Sequence, residues 1–130
     1  MLGYKYFIHG VVVAGNRLGR KIGFPTANMQ LYEPLKLIPG NGVYFVKVAT
    51  LGRQLYGMCN IGHRPTVGNG NARTVETNIF DFDEDIYGLD MDVTFLSKIR
   101  DEIRFDSLDE LRSQLEKDRK TCLDILSHNL

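Results

Sequence analysis

The sequence predicts a mainly β domain, built as an antiparallel barrel that is closed or nearly closed and followed by one C-terminal α-helix. Up to about residue 100, most apolar and β-branched residues alternate with polar ones, which is the period of a half-buried strand. No gap between the early strands is long and periodic enough for a crossover helix, so we expect mainly antiparallel pairing. The 130 residues fit a single domain, 1–130, with the barrel at about 4–100 and the helix at about 107–127.

Five segments show the two-residue alternation of a strand, and the pattern leaves open whether there is a sixth strand. The connectors between them contain Gly, Asn or Asp, which favour tight turns and positive φ angles. In chain order, the five predicted strands are Tyr6 to Val13, Gly42 to Thr50, Gln54 to Asn60, Thr74 to Phe82 and Met91 to Leu96.

The C-terminal helix is predicted from a capping signal and a change of period. Ser107 and Glu110 have the spacing of a capping box. The leucines that follow recur at helical intervals, which favours an apolar face packed on the barrel over a partner-binding surface. These leucines are Leu108, Leu111, Leu115, Leu123 and Leu126. The charged segment 116–120, EKDRK, is expected to be the solvated face of this helix.

The charge balance and the cysteine content restrict the class of partner. Sixteen acidic residues balance sixteen Lys and Arg, so the chain lacks the basic field typical of a duplex nucleic-acid binder or a membrane-surface protein. Cys59 and Cys122 have no metal-ligand spacing and are predicted to be small buried side chains. No apolar run is long enough to cross a bilayer, and no signal-peptide pattern follows Met1. The sequence therefore predicts a cytoplasmic protein without nucleic-acid or membrane partners.

The stretch GRKIGFPTAN, residues 19–28, is unusual for sequence that builds a core. The stretch contains Gly19 and Gly23, and Gly15 precedes it. These glycines would let backbone amides approach an anion. Three basic residues add positive charge: Arg17, Arg20 and Lys21. The spacing matches neither the P-loop nor the dinucleotide-binding fingerprint, so a phosphate-binding loop and an ordinary hairpin connector both stay open.

The Pro-Thr-Ala-Asn sequence provides two oxygen ligands on one side of an extended segment. Pro25 restricts Phe24 to extended conformations. Thr26 and Asn28, two positions apart, then point the same way. A hydroxyl and an amide oxygen suit Mg²⁺, which keeps several waters and takes few protein ligands beside nucleotide phosphates. The alternative is that both side chains bond nearby turn backbone.

A second candidate is Glu76, in the strand-like segment RTVETNIFDF. Strict alternation places Glu76, Asn78 and Phe80 on one face of this strand. If that face looks into a site, Glu76 is placed to take the proton from an alcohol that attacks a γ-phosphoryl group. The alternative is an exposed edge carboxylate, because charged strand residues usually face water.

Five segments of the chain resemble the riboflavin kinase family, in the family's order and at its spacings. They are GVVVAGNRLGRKIGFPTAN, PGNGVYFVKV, GMCNIGHRPTV, VETNIFDFDEDIYG and VTFLSKIRDEIRFDSLDELRSQLEKD. The Pro-Thr-Ala-Asn core is the most specific of these motifs, and the resemblance covers nearly the whole chain. It implies a six-stranded antiparallel Greek-key barrel with a C-terminal helix. It also implies transfer of the γ-phosphoryl group of ATP to the 5′-hydroxyl of riboflavin, which gives FMN and ADP.

The resemblance implies roles for individual residues. Thr26 and Asn28 would bind Mg²⁺ and the phosphates, and Glu76 would be the general base. The implied ATP-binding residues are Gly15, Arg20, Lys21, Gly23, Pro25, Thr26, Asn28, Asn60 and Gly62. Whether Arg20 or Lys21 contacts phosphate stays open. The implied flavin-binding residues are Arg100, Glu102, Phe105 and Asp106.

Alternatives of other classes stay open. A non-catalytic flavin-binding split barrel would use similar loops and aromatic residues but would not need Thr26, Asn28 and Glu76 together. An oligonucleotide-binding barrel is disfavoured by the neutral charge. In bacteria the family's kinase is commonly the C-terminal half of a bifunctional enzyme, and this sequence lacks the motifs of the N-terminal FMN adenylyltransferase half. An excised kinase domain is therefore expected, with a stand-alone kinase as the alternative.

Overall fold

The computed structural model describes residues 6–13, 23–32, 39–65, 71–82 and 84–128. Within these ranges the chain forms six β-strands and one α-helix. The strands are β1 (Tyr6–Val13), β2 (Ala27–Leu31), β3 (Gly42–Thr50), β4 (Arg53–Pro65), β5 (Asn71–Ile79) and β6 (Asp90–Arg100), and the helix is α1 (Leu108–His128). The predicted class, mainly β with a C-terminal helix, is confirmed.

The six strands close into an antiparallel barrel with the order β1-β2-β5-β4-β3-β6. Strands β3, β4 and β5 are successive antiparallel neighbours, and β6 returns to pair with β3. Three consecutive strands with a fourth beside the first is the arrangement of a Greek key. The six-stranded barrel implied by the family resemblance is therefore confirmed.

Strand β2 is the strand that the alternation pattern left open. It is five residues long, and its successive residues Asn28 and Met29 are each 8% exposed. Both of its faces are therefore covered at this point. Its sequence, ANMQL, does alternate apolar and polar residues, but five residues without a β-branched or aromatic side chain give only a weak strand signal. Because β2 pairs with β5, it brings the Pro-Thr-Ala-Asn segment beside the strand that carries Glu76.

Two apolar clusters stabilise the fold. The first fills the barrel interior with side chains from all six strands. The second lies between the outer face of the barrel and α1, and includes Val43, Phe45 and Met58 from the barrel with Leu111 and Leu115 from the helix. Successive residues at the start of β3 are buried on opposite faces. This outer cluster fixes the helix against one sector of the barrel.

The five leucines of α1 fall into two groups. Leu111, Leu115 and Leu126 pack against the outer cluster, which confirms the predicted barrel-facing role for these three. Leu108 and Leu123 are exposed by 45% and 37%, so the prediction is wrong for them. Leu123 follows Leu111 by twelve positions, which turns it about 120° away from the packed face, and Leu108 is the first residue of the helix.

The charged segment 116–120 is not uniformly solvated. Asp118 is only 2% exposed, so the predicted solvated face is wrong at this position. The reason is its spacing, because Asp118 follows Leu115 by three positions and precedes Cys122 by four, within the barrel-facing stripe. Cys122 and Cys59 are both buried, as predicted for the two cysteines.

The predicted capping signal is present at the start of α1. Ser107 Oγ accepts a hydrogen bond from the Glu110 N–H at 3.1 Å, and Glu110 Oε1 accepts one from the Asp106 N–H at 3.2 Å. Replacing Ser107 by Ala is expected to lower the free energy of unfolding by about 1 kcal/mol, because the helix loses its N-terminal acceptor. Urea denaturation measures the change, with Ser113→Ala as the mid-helix control that should be neutral or slightly stabilising. Equal effects of the two substitutions would contradict the capping role.

Candidate active site

A cleft lies between the outer face of the barrel and the C-terminal helix. Part of the outer apolar cluster forms its floor, through Phe24, Val43, Met58 and Leu115. Polar side chains from three strands also reach the cleft: Asn60, Glu76 and Arg100. A concave apolar surface with a few polar groups is typical of a small-molecule site.

The pairing register places five residues of five adjacent strands in one row across the barrel. Residues directly opposite each other in an antiparallel pair carry their side chains on the same face. From β2 to β6 the row is Asn28, Glu76, Asn60, Val43 and Arg100. Glu76, Asn60, Val43 and Arg100 line the cleft, whereas Asn28 is not among its lining residues. Residues that are distant in sequence thus meet because of the barrel register.

Glu76 lines this cleft, on the outer face of β5. The neighbours Val75 and Thr77 are 3% and 0% exposed and face the barrel interior, as strict alternation predicts. Glu76 itself is half-buried, and its Oε1 accepts a hydrogen bond from Thr26 Oγ1 at 3.5 Å. The carboxylate is therefore part of a concave site and not an exposed edge residue.

Thr26 lies at the junction of two pockets. It lines the cleft that contains Glu76, and it also lines a second pocket formed with Pro25, Ala27 and Tyr87. The backbone here is held in place because Asn78 Nδ2 donates to the Pro25 carbonyl at 2.7 Å. A group bound at Thr26 can therefore contact molecules in both pockets.

Thr26, Asn28 and Glu76 form a set of oxygen donors. Thr26 contacts Glu76 by its hydroxyl, and Asn28 is directly opposite Glu76 in the β2–β5 register. The structure therefore brings Thr26 and Asn28 to the same carboxylate, as the extended segment predicts. A hydroxyl, an amide oxygen and a carboxylate are the hard ligands that Mg²⁺ prefers, so the residues present fit such an ion.

Arg100 closes the other end of the cleft. Its guanidinium makes a bidentate ion pair with Asp118 on α1: Nε lies 3.0 Å from both Oδ1 and Oδ2, and Nη2 donates to Oδ2 at 2.8 Å. Gln114 Nε2 also donates to Asp118 Oδ1, at 2.9 Å. Sequence reasoning missed Asp118, although its helical spacing from Leu115 and Cys122 was the signal that could have found it.

The segment after β6 forms one wall of the cleft. Glu102, Phe105 and Ile103 line it, the first two as predicted and the third not predicted. The Phe105 ring lies under the Arg100 guanidinium, with 5.8 Å from Cζ to the ring centroid. The Glu102 carboxylate occupies the space in which a side chain at Gly62 would begin, so a larger residue there would displace the Glu102 side chain.

The remaining predicted positions divide by location. Asn60 lies in the cleft opposite Glu76 rather than in the second pocket. Asp106 is exposed, and its backbone N–H bonds to Glu110. Gly23 is exposed with a φ of 88°, a conformation that favours glycine. The predicted residues Gly15, Arg20 and Lys21 lie outside the described residues.

One cleft residue was missed even though the sequence contained its signal. Asn78 lines the cleft two positions after Glu76, on the face that strict alternation assigns to both residues. Its donation to the Pro25 carbonyl connects β5 to the Pro-Thr-Ala-Asn segment. Asn78 therefore supports the position of Thr26.

The two cysteines are unsuited to nucleophilic chemistry. Burial raises the pKa of the Cys59 thiol to about 12, and burial likewise raises the pKa of the Cys122 thiol to about 12. Both thiols are therefore protonated at neutral pH, and the thiolate is the reactive form. This agrees with their expected role as small buried side chains.

Sequence comparison relates the chain to proteins of one family. The family model described as "Flavokinase: Riboflavin kinase" matches residues 2–126. A bifunctional riboflavin kinase/FMN adenylyltransferase from Haemophilus influenzae is 47% identical over 123 residues, which are 94% of this chain and 39% of that protein. The RNA-binding riboflavin kinase RibR of Bacillus subtilis is 49% identical over 113 residues, 85% of this chain and 47% of that protein. The chain thus spans less than half the length of these relatives.

Two solved structures share the fold. One, from Streptococcus pneumoniae and described as a macrolide-efflux protein, has a TM-score of 0.81 at 40% identity and covers 89% of this chain and 38% of that chain. The riboflavin kinase of Trypanosoma brucei has a TM-score of 0.64 at 25% identity and covers 95% of this chain and 80% of that chain. In the part of the chain that the structure describes, no helix is long and apolar enough to cross a membrane.

Proposed function

Because the chain belongs to the riboflavin kinase family, we propose that it transfers the γ-phosphoryl group of ATP to the 5′-hydroxyl of riboflavin, giving FMN and ADP. The observation that carries this proposal is the position of Thr26 between two pockets, beside the Glu76 carboxylate. A phosphoryl transfer needs a donor and an acceptor that meet at one point with their reacting oxygens in line. Two pockets that share one residue provide such a meeting point.

The cleft is the better site for the flavin. Its floor of Phe24, Val43 and Met58 suits a flat apolar ring system, and the Phe105 ring forms part of one wall. Riboflavin bound there would direct its ribityl chain toward Glu76. The second pocket, next to Pro25, is then the nucleotide side.

Glu76 is proposed as the general base. Its carboxylate lines the cleft, and it would take the proton from the acceptor hydroxyl as that oxygen attacks phosphorus. Thr26 and Asn28 would hold Mg²⁺ with the ATP phosphates, and the bound ion would neutralise charge on the phosphoryl group. Phosphoryl transfer leaves the protein little covalent chemistry to perform. The positioning of the two substrates by these residues should therefore supply most of the rate enhancement.

Asn60 fits the acceptor side better than the nucleotide side. It faces Glu76 across the β4–β5 pair, and its Oδ1 is buried without a hydrogen-bond partner among the described residues. A buried amide oxygen without a partner is unfavourable. We assign it to accept a hydrogen bond from a ribityl hydroxyl near the reacting one.

The wider context of the reaction is also proposed. The bifunctional relative carries an FMN adenylyltransferase in addition to its kinase, so the FMN made here would be the substrate of such an activity, in a cytoplasm that supplies ATP. The name of the Bacillus relative includes RNA binding. For this chain, with sixteen acidic residues and sixteen Lys and Arg, the absence of a nucleic-acid partner stays a prediction.

The test of the function is an FMN-formation assay with riboflavin, ATP and Mg²⁺. We expect FMN and ADP to form in equal amounts, and we expect EDTA to abolish the reaction without abolishing riboflavin binding. Separation of the products by chromatography measures the turnover. A protein that binds riboflavin but makes no FMN would be a flavin-binding module, and the kinase proposal would be wrong.

Thr26→Ala is expected to lower kcat/KM for ATP by roughly 100-fold, because the hydroxyl at the junction of the two pockets is lost. Thr94→Ala is the matched control, since Thr94 lies in β6 opposite Phe7 and Lys47, away from both pockets. Steady-state kinetics with varied ATP and Mg²⁺ measures the effect. Equal values of kcat/KM for the two variants would remove Thr26 from the site.

A further inference from the structure

We propose that Asp118, on the barrel-facing side of α1, is a positioning residue for flavin binding: it holds the Arg100 guanidinium and thereby the cleft wall formed by residues 101–105. This inference rests on the proposed function, because it takes riboflavin as the ligand of the cleft. Asp118 lies outside the predicted site residues and touches no ligand in this scheme. Its effect passes through Arg100.

The ion pair between Arg100 and Asp118 fixes the orientation of the guanidinium. Asp118 is 2% exposed and Arg100 is 15% exposed, so water does not compete strongly for either group. The contact is bidentate, because Nε donates to Asp118 Oδ1 while Nη2 donates to Oδ2. A planar guanidinium held by two parallel hydrogen bonds has one orientation, whereas a single contact would let it rotate.

Packing of the helix does not explain a carboxylate at this position. Asp118 lies in the stripe between Leu115 and Cys122, where an apolar side chain would dock the helix on the barrel equally well. Replacing buried ion pairs by apolar residues is often neutral or stabilising. A carboxylate at such a position, which also receives a hydrogen bond from Gln114, points to a role beyond docking.

The cleft wall is attached at three points. Arg100 is fixed by Asp118, and its Nη1 donates to the Asp101 carbonyl at 3.0 Å. The Glu102 carboxylate lies against Gly62 on β4. At the far end, Glu110 bonds to the Asp106 N–H. Release of the first attachment would free the Arg100 side chain and the Phe105 ring beneath it.

The next residue of the helix provides a matched control. Arg119 pairs with Asp81 at 3.4 Å, and its Cζ lies 5.5 Å from the centroid of the Phe80 ring. This group therefore has the same composition as the group around Arg100: an arginine, a carboxylate and a phenylalanine ring. This pair is exposed, by 40% at Arg119 and 87% at Asp81, and neither residue lines the cleft.

The experiment compares riboflavin affinity in single and double variants. Asp118→Asn and Arg100→Lys are each expected to raise the Kd for riboflavin and its KM by about 10-fold, with kcat changed much less, as for loss of a supporting contact. The Kd of the double variant should not exceed the higher Kd of the two single variants, because both substitutions break the same contact. Asp81→Asn should leave Kd and KM unchanged. Quenching of riboflavin fluorescence gives Kd without ATP.

Three results would overturn the positioning role. They are an unchanged Kd in Asp118→Asn, an equal loss in Asp81→Asn, and multiplicative losses in the double variant. If the wild type binds riboflavin but forms no FMN, the kinase proposal fails alone and the Kd comparison still decides this one. If the wild type does not bind riboflavin, both proposals fail.

A further variant covers the case in which Asp118→Asn does not fold. Arg100→Met combined with Asp118→Leu replaces the pair by apolar side chains and is expected to keep the wild-type melting temperature. Its Kd for riboflavin should nevertheless stay raised by about 10-fold, because the oriented guanidinium is absent. Restored stability together with restored riboflavin affinity would show that the pair only docks the helix.

Discussion

Glu76→Gln is expected to lower kcat for FMN formation by roughly 100-fold to 10,000-fold, the usual range for loss of a general base. An amide has the shape of the carboxylate but cannot accept the proton that leaves the 5′-hydroxyl. The Glu76 carboxylate accepts from the Thr26 hydroxyl, and an amide oxygen can keep this contact. We therefore expect the Kd for riboflavin and the melting temperature to stay close to the wild-type values.

The matched control for this variant is Glu116→Gln, which removes an exposed carboxylate on α1. Single-turnover kinetics with both substrates saturating separates the chemical step from product release. A kcat within about threefold of the wild type would show that Glu76 is not the base. A large loss of riboflavin affinity with kcat retained would make it a binding residue instead.

The directions in which the side chains of this site point along their strands were predictable from local sequence, whereas local sequence left their chemical roles open. Thr26 and Asn28 face one carboxylate because an extended segment repeats every two residues, and Glu76 faces outward for the same reason. Strand geometry alone gives these orientations. That the carboxylate which Thr26 and Asn28 face is Glu76 follows instead from the pairing of β2 with β5.

The position of Arg100 was not predictable in the same way. The alternation predicts β6 only as far as Leu96, but the strand runs to Arg100. The β3–β6 register shifts twice near Val43 and Phe45, and each irregularity changes which face a side chain takes. Pairing irregularities depend on the partner strand, so the sequence of β6 alone does not place Arg100 in the cleft.

The pocket that Asn60 lines was likewise not predictable from the sequence of its own segment. The family resemblance implied that it lines the nucleotide side, whereas the register places it in the cleft with Glu76. Strand β5 pairs with β4 along the whole of β5, so one register decides which β4 residue lies opposite each residue of β5. Tertiary register, and not residue type, assigns Asn60 to its pocket.

Gly57→Ala is expected to be strongly destabilising, with a loss of about 3 kcal/mol in the free energy of unfolding. A Cβ at Gly57 would meet the Asn78 carbonyl oxygen closer than 3.0 Å, and the Asn78 carbonyl carbon and the Ile79 Cα at 3.1 Å each. These atoms are backbone, so no side-chain rotation relieves the clash. Strands β4 and β5 must separate at the pair of Gly57 with Ile79.

Gly40→Ala is the control, because a Cβ there meets nothing within 4 Å. Urea denaturation of both variants measures the difference, and equal stabilities would show that β5 yields without cost.

The displaced strand also carries Glu76, and its Asn78 side chain holds the Pro25 carbonyl. We therefore expect Gly57→Ala to lower kcat even at temperatures where it is fully folded, because a shift of β5 moves the Glu76 carboxylate relative to Thr26 and misplacement of about 1 Å is costly. A folded Gly57→Ala protein with wild-type kcat would show that the strand pairing and the catalytic geometry are independent.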